Sequence, residues 1–407
     1  MSERDASPPG RGRWIVAVVV FAAALAVRRG IEIRAHVEGD ERIYHALVEQ
    51  WDAGRGYTLQ GHPLLQEPGT DVEQYGQKLF FHPPGGIALF WVAHRFFGDP
   101  GFMLVEVLSF AVFFWATLAL TALLVRPFGI FEATVGSLLA GFSPIVVQVT
   151  ARWWLDGPVV ALATLAAVLG LVAARRGSVA WAAGAGLALG AAALVKPTAF
   201  LIMPGLALLA LIAAKDAGVK PARRAAAVAL GTAAACYGVW LLWRWHVTGT
   251  PFPGYAGRPM PRLVATNPYV HYVTVERGPL VYLRLLPEVL PTLVPACVLT
   301  AMQSGRVRLR SISLALVAWI ATIVIVHVGL GAIGFSKVLR YVILVSPAAI
   351  VLFVAQSSAL LRAGLPRSAG RWVLAVACAA AVVLEIVQGI HTMVLDRDLI
   401  IPWPWGL

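Results

Sequence analysis

The chain has 407 residues, of which 59% are hydrophobic and 13% charged, against about a quarter charged in an ordinary soluble domain. That excludes a soluble globular protein, because no aqueous fold absorbs so much apolar surface. The net charge of +12 does not argue for a nucleic-acid partner, since Lys and Arg lie in short clusters between apolar runs rather than on one face.

A membrane-crossing helix needs roughly 20 mainly apolar residues, and on that ruler the sequence predicts an all-α polytopic protein with about eleven transmembrane helices. The predicted spans cover 14–31, 101–125, 129–149, 157–174, 179–195, 197–214, 225–245, 281–302, 311–331, 340–361 and 372–393. The first is read as a retained span, because Arg28 and Arg29 follow it where a signal peptide would have small residues. The stretch 85–97 is too short to cross and carries His94 and Arg95, so it is expected to lie at the interface or re-enter. Cys236, Cys297 and Cys378 each sit inside an apolar run, which argues against disulfides and against a cysteine metal site.

Cytoplasmic loops hold Lys and Arg in excess. With a cytoplasmic tail at 1–13, Arg126, Arg175, Arg176, Lys215, Lys220, Arg223 and Arg224 all fall inside. So do Arg306, Arg308, Arg310, Arg362, Arg367 and Arg371. The domain at 14–395 then presents two long outer loops, 32–100 and 246–280, before a short tail at 396–407. Long loops on a helical scaffold are where chemistry concentrates, so the first is expected to be catalytic and the second substrate-related.

Polar residues at the outer ends of the spans are the candidates for chemistry. Asp40 and Glu41 begin a segment in which Ile43, Leu47 and Trp51 recur at helical spacing, with Tyr44 on the same turn. Asp40 is either a helix cap or a site carboxylate. His82-Pro83-Pro84 is a stiff turn that fixes its histidine, or simply a turn, and Lys78 nearby can snorkel to the surface.

Arg152 and Asp156 are spaced to pair on one helix. Alternatively Asp156 joins Asp40, where two carboxylates could hold a divalent cation or raise one pKa. Trp153 and Trp154 between them suit an aromatic belt or a sugar platform. Lys196, before Pro197, would be costly facing lipid, so it either snorkels or meets a phosphate. Lys337 and Arg340-Tyr341 invite the same two readings.

Gly39-Asp40-Glu41, His82-Pro83-Pro84, Arg152 with Asp156 and Pro158, Lys196-Pro197 and Arg340-Tyr341 occur in this order over roughly residues 10–360. This ordered set resembles glycosyltransferase family 39, which includes protein O-mannosyltransferases, the lipid A aminoarabinose transferase and bacterial lipopolysaccharide glycosyltransferases. The resemblance implies a GT-C fold and an integral multi-pass protein of a bacterial inner or plasma membrane. It implies inverting sugar transfer from a polyprenyl-phosphate donor to a glycolipid, polysaccharide or protein hydroxyl on the non-cytoplasmic face.

In that family the acid matching Asp40 is the general base and the acid matching Asp156 lies beside it. The basic residues of the outer loops hold the donor phosphate. Glu41, Tyr44, Lys78, His82, Arg152, Lys196, Lys337 and Arg340 are the expected substrate-binding residues. Some members carry lysine where this chain has His82, and no cofactor is implied beyond a possible divalent cation. A lipid or solute transporter is the alternative, although paired repeats and mid-membrane charges are missing from the sequence pattern. A ligase using a diphosphate-linked donor is a nearer enzymatic alternative.

Overall fold

The computed structural model describes residues 11–32, 40–67, 72–219, 223–252, 265, 271–302, 307–363 and 369–394. The terminal tails, about half of the expected loop 246–280, and the basic positions Arg4, Lys220, Arg306 and Arg367 lie outside the described residues, as does Gly39 of the first motif. Among the described residues the protein is helical and has no strand.

Helix α1 (Gly12–Glu32) leads to α2 (Asp40–Asp52), a short α3 (Val72–Tyr75), α4 (Gly85–Phe97) and α5 (Pro100–Leu124). There follow α6 (Ile130–Phe142), α7 (Pro144–Thr150), α8 (Asp156–Arg176) and α9 (Val179–Val195). A 3₁₀ turn (Pro197–Ile202) runs into α10 (Met203–Asp216), and α11 (Arg223–Thr248) follows. The remaining helices are α12 (Val281–Val289), α13 (Leu293–Ala301), α14 (Val307–Ala332), α15 (Ser346–Arg362) and α16 (Ala369–Val394), with a 3₁₀ segment (Leu339–Val345) ahead of α15.

Every expected span coincides with helix, but two of them are broken. The stretch 129–149 bends by 54° between α6 and α7, and 281–302 bends by 104° between α12 and α13. The cause is local: Pro144 and Pro291 lack the N–H that would continue an intrahelical ladder. Seven helices among the described residues are long and apolar enough to cross a bilayer, or nine if each bent pair is one span. The expected count of eleven would add α9, which at 17 residues is short, and α1, which carries Arg13, Arg28 and Arg29. The 85–97 segment is a separate 13-residue helix, α4, stopped by Gly98 at φ 64.

Two features position these helices. The glycines of α9 let it pack against α11 at backbone distance: a Cβ on Gly186 would stand 2.4 Å from the Ala229 carbonyl oxygen, and one on Gly190 would stand 2.6 Å from Cys236 Cβ. The Leu339–Arg362 stretch is 94% buried across its apolar window, against 17% for α11 and 22% for the α16 stretch. The former is therefore the central pillar, whereas α11 and α16 turn most of their surface to lipid. Helix α8 carries Asp156 in its first turn and Arg175 and Arg176 in its last, matching the helix dipole.

Candidate active site

The site forms where α2, the α7–α8 turn, the end of α9 and the start of the central pillar meet. Asp40 opens α2 and its carboxylate pairs with the guanidinium of Arg340, which arrives from a position 300 residues later in the chain. Arg340 also approaches the second acid, its Nε standing 3.9 Å from Asp156 Oδ2. The other oxygen of Asp156 accepts a hydrogen bond from Lys196 Nζ at 2.7 Å. Four side chains thus alternate in charge: Asp40, Arg340, Asp156, Lys196.

Local structure explains each placement. Lys196 is thrown out of α9 by Pro197, at extended φ −147 and ψ 130, so its side chain leaves the helix axis. Asp156 begins α8 just after α7 and the turn that follows it. The His82-Pro83-Pro84 turn is seated on the same corner because the glycines after it permit close approach. A Cβ on Gly85 would stand 2.8 Å from the Leu194 carbonyl oxygen, and one on Gly86 would stand 2.3 Å from Leu155 Cδ2. Tyr57 fixes the turn from the other side, its hydroxyl donating to the carbonyl oxygens of His82 and Pro83 at 3.1 and 3.2 Å.

Aromatic rings floor the cluster. The Arg340 guanidinium stacks 4.3 Å from the Trp154 ring centroid, and Lys196 Nζ is 5.1 Å from that of Tyr341. His327, on α14, extends this wall, its ring 6.5 Å from Tyr341 and 5.9 Å from Tyr282. Beside the cluster, Arg152 pairs with Glu41 at 3.2 Å, and the Trp153 amide donates to the same carboxylate at 3.0 Å. This second pair ties α2 to the α7–α8 turn.

Charge and burial set the protonation states. Burial raises the Asp40 carboxyl, but the charges of Arg340 and Lys196 around it outweigh that and hold it below its ordinary value. Burial pushes the His82 imidazole down, with help from the Lys196 charge, to about 3, so it is neutral at pH 7. Burial raises the Tyr44 phenol well above its usual value, and the nearby Asp40 charge adds to that, so Tyr44 keeps its proton. Asp156 is nearly sealed, at 3% side-chain exposure, whereas Asp40 is 31% exposed. Of the two carboxylates, Asp40 is the one that can face an incoming molecule.

The structure therefore brings together Asp40, Asp156, Lys196, Arg340, His82 and Tyr44, with Glu41 and Arg152 bracing them. Lys337 is buried but engaged elsewhere: its ammonium donates to the Thr274 carbonyl, and its own carbonyl accepts from Arg277 at 2.8 Å. Lys78 is exposed at the surface. Among the described residues no group of three or more His, Cys, Asp and Glu side chains is arranged around a metal position. A cationic group already lies between Asp40 and Asp156, namely the Arg340 guanidinium. Trp154 carried a sequence signal, since it stands between Arg152 and Asp156, yet it reads there as a belt residue. His327 carried none, being one polar residue inside an apolar run.

A family model described as dolichyl-phosphate-mannose-protein mannosyltransferase matches residues 81–243. Among solved structures, ArnT from Cupriavidus metallidurans bound to undecaprenyl phosphate is 20% identical with a TM-score of 0.59, over 94% of this chain and 76% of that one. This is a GT-C glycosyltransferase fold of the ArnT type. The apo form of the same ArnT superposes on the GT-C fold equally, with a TM-score of 0.60 at 18% identity, covering 94% of this chain and 76% of that one. An Archaeoglobus fulgidus oligosaccharyltransferase tethered to an acceptor peptide shares it at 13% identity and a TM-score of 0.58, over 95% of this chain and 55% of its own. No curated protein matches the chain by sequence.

Proposed function

We propose that the protein is a membrane glycosyltransferase that moves a sugar from a polyprenyl-phosphate donor to an acceptor hydroxyl on the non-cytoplasmic face. The observation that carries this reading is the alternating cluster itself: an accessible carboxylate, Asp40, held beside a buried one by two cations at the aqueous end of a GT-C bundle. Side chains of this cost persist at membrane depth where they act on substrate. Both the family model's description and the ligand in the ArnT structure name a prenyl-chain phosphate.

Arg340 and Lys196 are both engaged by the carboxylates. A donor phosphate is a stronger competitor for Arg340 and Lys196, since guanidinium and ammonium groups both favour phosphate oxygens. As Arg340 turns to the phosphate, Asp40 loses the partner that depresses its pKa and becomes a better base. The acceptor oxygen then attacks the anomeric carbon and gives its proton to Asp40. The bond from that carbon to the phosphate oxygen breaks with its electron pair, and polyprenyl phosphate departs as an anion stabilised by Lys196 and Arg340. One displacement inverts the anomeric centre. His82, neutral, contributes hydrogen bonding rather than charge, and Trp154 keeps Arg340 in plane.

The test is to incubate the purified protein in nanodiscs with a panel of polyprenyl-phosphate sugars and follow release of polyprenyl phosphate. Transfer or donor cleavage by the wild type, and its loss in Asp40→Asn at unchanged folding, is the expected result. Transport of a lipid across liposomes without cleavage would replace this reading with a flippase.

A further inference from the structure

One buried carboxylate plays no part in the chemistry above. Glu385, in the middle of α16, is completely buried, and both of its oxygens are used. One accepts from the Ser143 hydroxyl; the other accepts from the Thr292 amide at 3.0 Å and the Thr292 hydroxyl at 2.7 Å. Ser143 is the residue between α6 and α7, and Thr292 the residue ahead of α13. A single side chain therefore joins both broken spans at their breaks. The helices touch directly there, for a Cβ on Gly389 would fall 1.6 Å from the Phe142 carbonyl oxygen.

The α6–α7 break is also held by a buried cation. Arg28 of α1 donates to the Gly141 carbonyl at 2.8 Å and to Thr150 Oγ1 at 3.1 Å, spanning from the end of α6 to the end of α7, and its guanidinium lies 3.7 Å over Phe110. What lies beyond each break is the site. Helix α7 delivers Trp154 and Asp156, and α12 delivers Tyr282 to the His327–Tyr341 wall.

We infer that Glu385, together with Arg28, is a positioning residue of the transfer site: it fixes the angle at which the two broken spans present Asp156, Trp154 and Tyr282. An uncompensated carboxylate in a membrane helix is costly, and an alanine with a packed neighbour would fill this space, so the hydrogen bonds to two helix breaks are what the carboxylate supplies.

The kinetic part of this inference rests on the transfer reading; the conformational part does not. The experiment is hydrogen–deuterium exchange on purified wild type, Glu385→Ala, Glu385→Gln and Ser143→Ala, with transfer kinetics from an undecaprenyl-phosphate sugar. Glu385→Ala should raise exchange across 147–156 and 281–292 and lower kcat at least tenfold, with the donor KM changed by less than threefold. Glu385→Gln, which still accepts from Thr292 and can donate to Ser143, should recover to within threefold of wild type, and Ser143→Ala should fall between. A Glu385→Ala protein that loses thermal stability but keeps wild-type exchange at 147–156 and wild-type kcat per folded molecule overturns the inference. Should Glu385→Ala fail to fold, Ser143→Ala with unchanged exchange and kcat overturns it equally. Absence of transfer in the wild type with the exchange differences intact would defeat the proposed function and leave the positioning role standing.

Discussion

Both ends of the bundle are built from arginine and carboxylate, yet they obey different rules. At one end Arg308 pairs with Asp216 at 2.6 Å, with the two side chains 45% and 33% exposed. There too the half-buried Arg362 reaches the carbonyls of Arg126 and Pro127 and a carboxylate that is itself buried, Glu132, and Arg175 reaches the carbonyl of Leu123. At the other end Arg340, Asp156 and Lys196 are each about nine-tenths buried or more and are shared between partners. Exposed pairs gain little because water solvates either charge nearly as well. Buried ones carry a desolvation cost that a stronger ligand can relieve. The exposed pair is thus weakly held, whereas the buried cluster carries a cost that the proposed donor phosphate would relieve.

The comparison breaks first if Asp40 is dispensable. Asp40→Asn should lower kcat by about 10² to 10⁴, the usual worth of a positioned general base, with size-exclusion behaviour unchanged. Next, Arg340→Ala and Lys196→Met should each lower kcat/KM by about 10² to 10³, the scale of losing one preorganised stabiliser of a developing anion. Arg340→Lys should not rescue, because a lysine cannot stack flat on Trp154 and span two carboxylates at once. Trp154→Ala should cost about tenfold, consistent with losing a desolvated cation–π contact, read as a rise in KM for the donor.

A smaller effect concerns acid. The His82 folded-state pKa of about 3 lies below its unfolded value near 6.5, so between those values the unfolded chain binds a proton that the folded one does not. Stability should therefore fall as pH drops from 6.5 toward 3. Asp40, with its carboxyl lowered in the folded state, acts in the same direction: its contribution is complete above its unfolded pKa and is lost as pH falls through the folded one. Melting of wild type and His82→Asn between pH 4 and 7 should show the steeper loss in wild type. The smallest effect belongs to the exposed end, where Arg308→Ala should change stability by less than about 1 kcal/mol and leave kcat at the wild-type value.

Much of this was legible in the chain. Apolar runs of bilayer length coincide with the long apolar helices among the described residues, because lipid as solvent leaves a composition signal that does not depend on tertiary detail. The helix starting at Asp40 and the short helix at 85–97 follow from periodicity and length. The candidates Asp40, Asp156, Lys196 and Arg340 stood out because ionisable groups are rare near the membrane.

Their pairing could not be read. Arg152 and Asp156 have the spacing to bond to each other, yet Arg152 turns to Glu41 and Asp156 to Lys196. That choice depends on how α2 and α9 dock, which no local pattern encodes. Lys337 looked equivalent to Lys196 but is taken up by the Thr274 carbonyl. The spans 129–149 and 281–302 read as continuous although Pro144 and Pro291 lie inside them, and Glu385, which joins the two breaks, is a single acid in an apolar run.

Gly85 and Gly86 leave no gap between the His82 turn and the residues just before Lys196. Two parts of the chain more than a hundred residues apart are thereby geared like meshed teeth: any tilt of α9 that swings the lysine drags the histidine with it.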